Sequence, residues 1–218
     1  MPEAPSNTSR LRRNPRYTEA PLHTASKTLR VTGNRSGPVR TQLAVRGHSF
    51  IADQPEVRGG SDQGPSPMEY LAGGVSSCIA VAIEQLADRR DLPLTDISTY
   101  TLARQDTRGL AGESDVQPYF YAYRLQLVIE TTEQDSAVLT NFARMAEHIC
   151  PAVNLLRDAH IELEVAWAFV RRSSQGSAEA LANLAWGYEP NPDAVDDDDL
   201  TFQVSNADAP AIFAGVRP

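Results

Sequence analysis

Cys78 and Cys150 are the only two thiols in the 218 residues of the chain. Each lies in an apolar stretch beside a helix signal, which points to thiol chemistry rather than to a disulfide scaffold. Around Cys78 the residues three and four positions away are Gly74, Val75, Val81 and Ala82, an apolar helix face. A free cysteine in such a setting also reads as a small buried hydrophobe, and both readings stand on the residues alone. Cys150 immediately precedes Pro151, which opens a helix, so free N–H groups should stabilise its thiolate and lower its pKa. A thiolate in an apolar pocket is poorly stabilised without a nearby cation, so reactivity at Cys78 requires a positive partner.

The rest of the composition narrows the field. A formal charge of −8 and a pI near 5.0 argue against nucleic acid or an anionic membrane as the main partner. The longest apolar run, residues 71–83, is shorter than the roughly 20 residues of a membrane span and reads as a buried helix. The Arg-, Ser- and Pro-rich start lacks an apolar segment of the secretory kind and reads as a disordered tail over residues 1–26. With two cysteines and no export signal the expected compartment is a reducing cytoplasm, where a dithiol is more often catalytic or redox-sensing than structural. The four histidines form no zinc-ligand constellation, and neither a metal nor an organic cofactor is expected.

These residues need elements to position them. Thr28 to Thr32, then Val39, Thr41, Leu43 and Val45, then residues 49–52 after a turn at Arg46-Gly47-His48, predict three antiparallel strands. Ser66 as N-cap, Pro67 at the first helical position and Glu69 at the third predict a capping box and a helix to about Arg90, before Pro93. Residues 97–103 predict a strand joined by a long loop to another in which Tyr121, Tyr123, Leu125, Leu127 and Ile129 alternate with polar or small residues. Val138, Leu139, Phe142, Met145, Ala146 and Ile149 keep helical spacing until Pro151 breaks the helix and opens the next. Ile161, Leu163, Val165, Trp167 and Phe169 mark a last strand. The order β-β-β-α-β-β-α-α-β is an α+β fold. Beyond residue 170 lies a C-terminal extension over 171–218, with a short helix expected at 178–186 and a solvated acidic loop at 191–199.

Gly64, Ser66, Pro67, Glu69, Cys78, Cys150 and Pro151 together resemble the pattern of the OsmC/Ohr family of thiol-dependent hydroperoxide reductases. The resemblance covers roughly residues 27–170. It implies antiparallel sheets packed around central helices in an intertwined homodimer, with active sites at the interface. It further implies Cys78 as the peroxide-attacking cysteine and Cys150 as the resolving one. Organic hydroperoxides would be the substrates, and an external dithiol, in family members often a lipoyl dithiol, the reductant. Arg58, nine residues before Pro67, matches the activating arginine of the OsmC branch, and Glu69 the glutamate that orients it. In the Ohr branch the arginine comes from the N-terminal strands, which leaves Arg35, Arg40 and Arg46 as alternatives. On an unbroken helix, nine residues at about 100° each put Glu69 and Cys78 on opposite faces. A break at Gly73-Gly74 would remove that difficulty. The rival function is a non-catalytic binding protein of the same fold for a small ligand, or a thiol redox sensor.

Overall fold

The computed structural model describes residues 17, 21 and 23–171 and the backbone of 200–205. The chain divides into two compact units, residues 1–66 and 67–218. In the first, β1 (Thr32–Gly37), β2 (Arg40–Val45) and β3 (His48–Ala52) form an antiparallel sheet in that order. The hairpin between β2 and β3 turns at Arg46-Gly47, as the sequence predicts, with Arg46 in the left-handed region (φ 54). The first strand is placed differently from the sequence expectation of residues 28–32. The turn at Pro38-Val39 fixes the register, pairing Gly37 with Arg40 and Thr32 with Ala44, so the strand falls on the polar, glycine-bearing residues TGNRSG. Hairpin register here overrides β propensity.

The segment after β3 is organised by one carboxylate. Asp53 accepts N–H bonds from Gln54 (2.9 Å), Ser61 (3.2 Å) and Gln63 (3.2 Å), and its own N–H donates to Pro65 O (3.2 Å). Burial alone would push the Asp53 pKa up, but the donations from Gln63, Gln54 and Ser61 and the charge of Arg40 outweigh it, and the net direction is down. Gly60 permits the close return of this loop, since a Cβ there would sit 1.7 Å from Gln54 O. Within the loop a short 3-10 turn, Glu56–Arg58, ends at Gly59 in the left-handed conformation.

In the second unit α1 (Pro67–Arg90) matches the sequence expectation at both ends, and Asp91 (φ 51) lets Leu92 N–H reach back to Ala87 O. The helix runs unbroken through Gly73-Gly74, and a Cβ at either glycine would meet nothing within 4 Å. At 24 residues it is longer than the run 71–83, and by length and composition it could cross a bilayer. Its buried side chains, Val75, Ile79, Ala82, Ile83, Leu86 and Ala87, belong to the core of the unit.

That core is closed by β4 (Leu94–Gln105), β5 (Phe120–Thr131), β6 (Glu162–Val170) and β7 (Leu200–Ser205), in the sheet order β4-β5-β6-β7. Of the predicted alternating sets, Tyr123, Leu125, Leu127 and Ile129 on β5 and Val165, Trp167 and Phe169 on β6 are almost fully buried, whereas Leu163 is half-buried and Tyr121, at the start of β5, is exposed. One pairing departs from the antiparallel expectation. β5 and β6 run parallel, because α3 (Ser136–Ile149) and α4 (Pro151–Asp158) carry the chain back across the sheet between them. The long loop after β4 holds a further short helix, α2 (Thr107–Ala111), capped by the Asp106 carboxylate on Arg108 N–H (3.0 Å) and ended by left-handed Gly112. β7 lies in the C-terminal extension and pairs antiparallel with β6. Residues 178–186 and 191–199 lie outside the described residues.

Replacing Asp53 by Asn should release the loop that carries Arg58. A hydrogen bond to a charged group contributes about 1.5–3 kcal/mol, so amide exchange at Ser61 and Gln63 should rise by about tenfold or more. Because the pKa is lowered, the anchor is present at neutral pH and is lost as pH falls below the ordinary 3.8 through the folded value. Unchanged exchange in Asp53→Asn would show that the carboxylate does not hold the loop.

Candidate functional site: a partly open and a buried thiol

Cys78 lies on the edge between the two faces of α1. Of its helical neighbours, Val75 and Ala82 are buried while Gly74 and Val81 are exposed, so its side chain is partly buried against the core. Cys150 is wholly buried, at 0% exposure. Its place follows from Pro151, which disfavours the helical conformation in the residue before it. Cys150 accordingly adopts extended backbone (φ −72, ψ 114) and is at once the C-cap of α3 and the N-cap of α4.

The Cys78 and Cys150 side chains lie within hydrogen-bonding reach of each other, and both are free thiols. Burial pushes the Cys150 pKa up to about 11. The amides of Val153 and Ala152 act in the opposite direction, as expected for a residue opening a helix, but Cys150 makes no side-chain cap hydrogen bond there and burial prevails. The lowered pKa expected from Pro151 is therefore corrected: the helix start is present, yet the sulfur is too deep for it to dominate. Among the described residues, the groups acting on Cys150 are Cys78 and the amides of Val153 and Ala152, none of them a cation.

Residues not singled out from the sequence fix this corner. The buried Asn154 side-chain amide donates to Glu147 O (3.1 Å) and His148 O (2.8 Å), covering carbonyls at the end of α3, and also lies 2.8 Å from Cys150 O, which accepts the Asn154 backbone N–H (3.2 Å) as the first bond of α4. The Glu147 carboxylate, itself buried, accepts from Trp167 Nε1 (2.8 Å) on β6 and from the Arg157 guanidinium on α4. Burial outweighs the Arg157 charge and these bonds and pushes the Glu147 pKa up. Beside the thiols, Tyr123 donates its hydroxyl to Ala72 O (2.8 Å), and Ser76 and Thr101 share a 2.6 Å hydroxyl contact. Tyr123, read from sequence as core, is core with a satisfied polar end; burial raises its pKa, and proximity to Cys150 adds to the rise. Asn154 had a signal, a polar residue on the inward side of a short amphipathic helix four positions after the cysteine. Among the described residues no group of three or more His, Cys, Asp or Glu could hold a metal ion.

The OsmC family model, described as OsmC-like protein, matches residues 60–166. This segment is an OsmC-like domain. Solved structures agree on the fold. An OsmC-like protein from Mycoplasma pneumoniae is 14% identical over 66% of this chain and 97% of its own, with a TM-score of 0.58. An OsmC-like protein of unknown function from Vibrio cholerae is 12% identical over 66% of this chain and all of its own length, with a TM-score of 0.53. A hypothetical protein from Aquifex aeolicus is 14% identical over 66% and 97%, with a TM-score of 0.52. No curated protein matches the chain.

The OsmC-like domain contains Glu69, Cys78 and Cys150 and brings the two cysteines together. Glu69 does not join them. It is exposed near the start of α1, and because the helix does not break at Gly73-Gly74, it lies on the face opposite Cys78. Arg58 is exposed at the end of the 3-10 turn in the first unit, ahead of the matched segment. Arg35, Arg40 and Arg46 also belong to the first unit, where Arg40 donates to Ser36 O (2.9 Å).

The buried thiol sets a pH dependence. A folded pKa raised from 9.0 to about 11 leaves stability intact below pH 9 and removes it as pH rises toward 11, by on the order of 3 kcal/mol at most. Cys150→Ser should flatten the alkaline fall in melting temperature, leaving the contribution of Tyr123. An unchanged alkaline profile in Cys150→Ser would contradict the assignment.

Proposed function

We propose that the chain is a thiol-dependent peroxidase that reduces organic hydroperoxides to alcohols. The observation that carries this reading is the pair of free thiols within reach of each other, one partly open and one enclosed. The Cys78 thiolate attacks the outer peroxide oxygen, the O–O bond breaks, and the departing alkoxide takes a proton to become the alcohol. Cys78 is left as a sulfenic acid. The Cys150 thiol then attacks the Cys78 sulfur, water leaves, and a disulfide joins the two. An external dithiol, of the lipoyl type in the family this domain resembles, restores both thiols.

In this reading Cys78 acts beside a cation, and Arg58 is its first candidate. Arg35, Arg40 and Arg46 are the next. The protein acts as a homodimer in a reducing cytoplasm. Leu71 and Val81, each 50% exposed on α1 beside the open Gly73-Gly74 pair, supply an apolar surface for a second copy.

Stopped-flow mixing of the reduced protein with cumene hydroperoxide, linoleic hydroperoxide and hydrogen peroxide tests the proposal. Organic hydroperoxides should react fastest, Cys78→Ser should abolish consumption, and Arg58→Ala should slow it by at least about a hundredfold at nearly unchanged melting temperature, as loss of general electrostatic activation would. A wild-type rate in Arg58→Ala would move the role to Arg35, Arg40 or Arg46. A slow wild type that no arginine substitution alters would favour the binding-protein or redox-sensor reading.

A further inference from the structure

The two sulfurs differ in access, and this bears on how the oxidised state is reduced. A thiolate that cleaves a disulfide enters along the extension of the S–S axis, behind the sulfur it attacks, so the space behind each sulfur decides which one is struck. Cys150 has no exposed surface. It is enclosed by the core that also holds Val75, Ile79, Leu139, Ala146 and Val153. A nucleophile approaching it opposite Cys78 would have to pass through packed side chains. Cys78 stands at the margin of α1 and is only half-buried, so of the two sulfurs it is the one that an external thiol can reach.

We propose that the external thiol reduces the protein by attacking Cys78 Sγ alone, with a mixed disulfide on Cys78 as the obligatory intermediate and Cys150 as the leaving sulfur. The inference rests on the dithiol reading above. In the first step RSH and the Cys78–Cys150 disulfide give Cys78–S–S–R. The S–S electron pair passes to Cys150 Sγ, and the proton released by the attacking thiol ends there. In the second step the other thiol of the dithiol attacks the R sulfur, closes its own disulfide and releases Cys78. Cys150 is a poor leaving group, because its burial disfavours the thiolate and only the amides of Val153 and Ala152 favour it. The first step should therefore be slow with a monothiol, and a dithiol gains by completing the second step within one complex.

The test starts from full-length protein oxidised with diamide, which forms the disulfide without any peroxide chemistry. The oxidised protein is treated with glutathione, quenched in acid, unfolded, alkylated with N-ethylmaleimide and mapped by mass spectrometry. Glutathione should be found on the Cys78 peptide at least about tenfold more often than on the Cys150 peptide, the measure of one excluded path. The same reaction in guanidinium should lose that bias. Equal distribution in the native protein, preference for Cys150, or an identical bias in guanidinium would each overturn the proposal. Failure of diamide to form the disulfide would overturn it together with the dithiol reading. A disulfide formed by diamide but not by hydroperoxide would refute only the peroxidase.

Discussion

The dithiol depends on the proline that follows the second cysteine. Pro151 holds Cys150 out of the helical conformation and makes one residue serve as the end of α3 and the start of α4. At that corner the sulfur faces the interior and meets Cys78 on α1. The corner itself would be costly to bury, because the end of α3 leaves carbonyls without helical partners. Asn154 covers two of them, on Glu147 and His148, with its side-chain amide, and the Glu147 carboxylate ties α3 to Arg157 on α4 and Trp167 on β6. The reach between the two thiols is thus a consequence of backbone stereochemistry secured by buried polar contacts.

Two opposed effects act on Cys150, and their balance fits a resolving role better than an attacking one. The amides at the start of α4 favour a thiolate, but burial removes more than they supply and the pKa rises to about 11. A neutral thiol kept out of solvent is slow toward peroxide and protected from stray oxidants, yet this one remains beside the Cys78 sulfur. Cys78, at the margin of its helix, has the access that Cys150 lacks. The arginines that the sequence singles out as partners for Cys78 belong to the first unit rather than to the OsmC-like segment.

Much of this was legible in the sequence. The period-2 stretches around Leu125 and Val165 and the proline boundaries at Pro67, Pro93 and Pro151 located β5, β6, α1, α3 and α4 closely, while α2 fell in what the sequence read as a loop. The first strand was misplaced because hairpin register moved it onto residues of low strand propensity. β7 was missed although Leu200, Phe202 and Val204 alternate with Thr201, Gln203 and Ser205, a pattern hidden behind the acidic run that precedes it. Pairing of Cys78 with Cys150 came from family resemblance, since no local pattern encodes a contact over such a separation. The depth of Cys150, which reverses the expected direction of its pKa, is a tertiary property. So are the roles of Asn154 and Tyr123, whose partners lie on other helices or strands or across a helix junction.

The central claim is that the two sulfurs form one redox unit. Stoichiometric hydroperoxide added to the reduced protein, followed by peptide mapping without reductant, tests it most directly. The expected product has lost two hydrogens and yields a linked Cys78–Cys150 peptide, while Cys150→Ser accumulates sulfenic and sulfinic acid on Cys78. Oxyacids on Cys78 of the wild type, with no linked peptide, would contradict it.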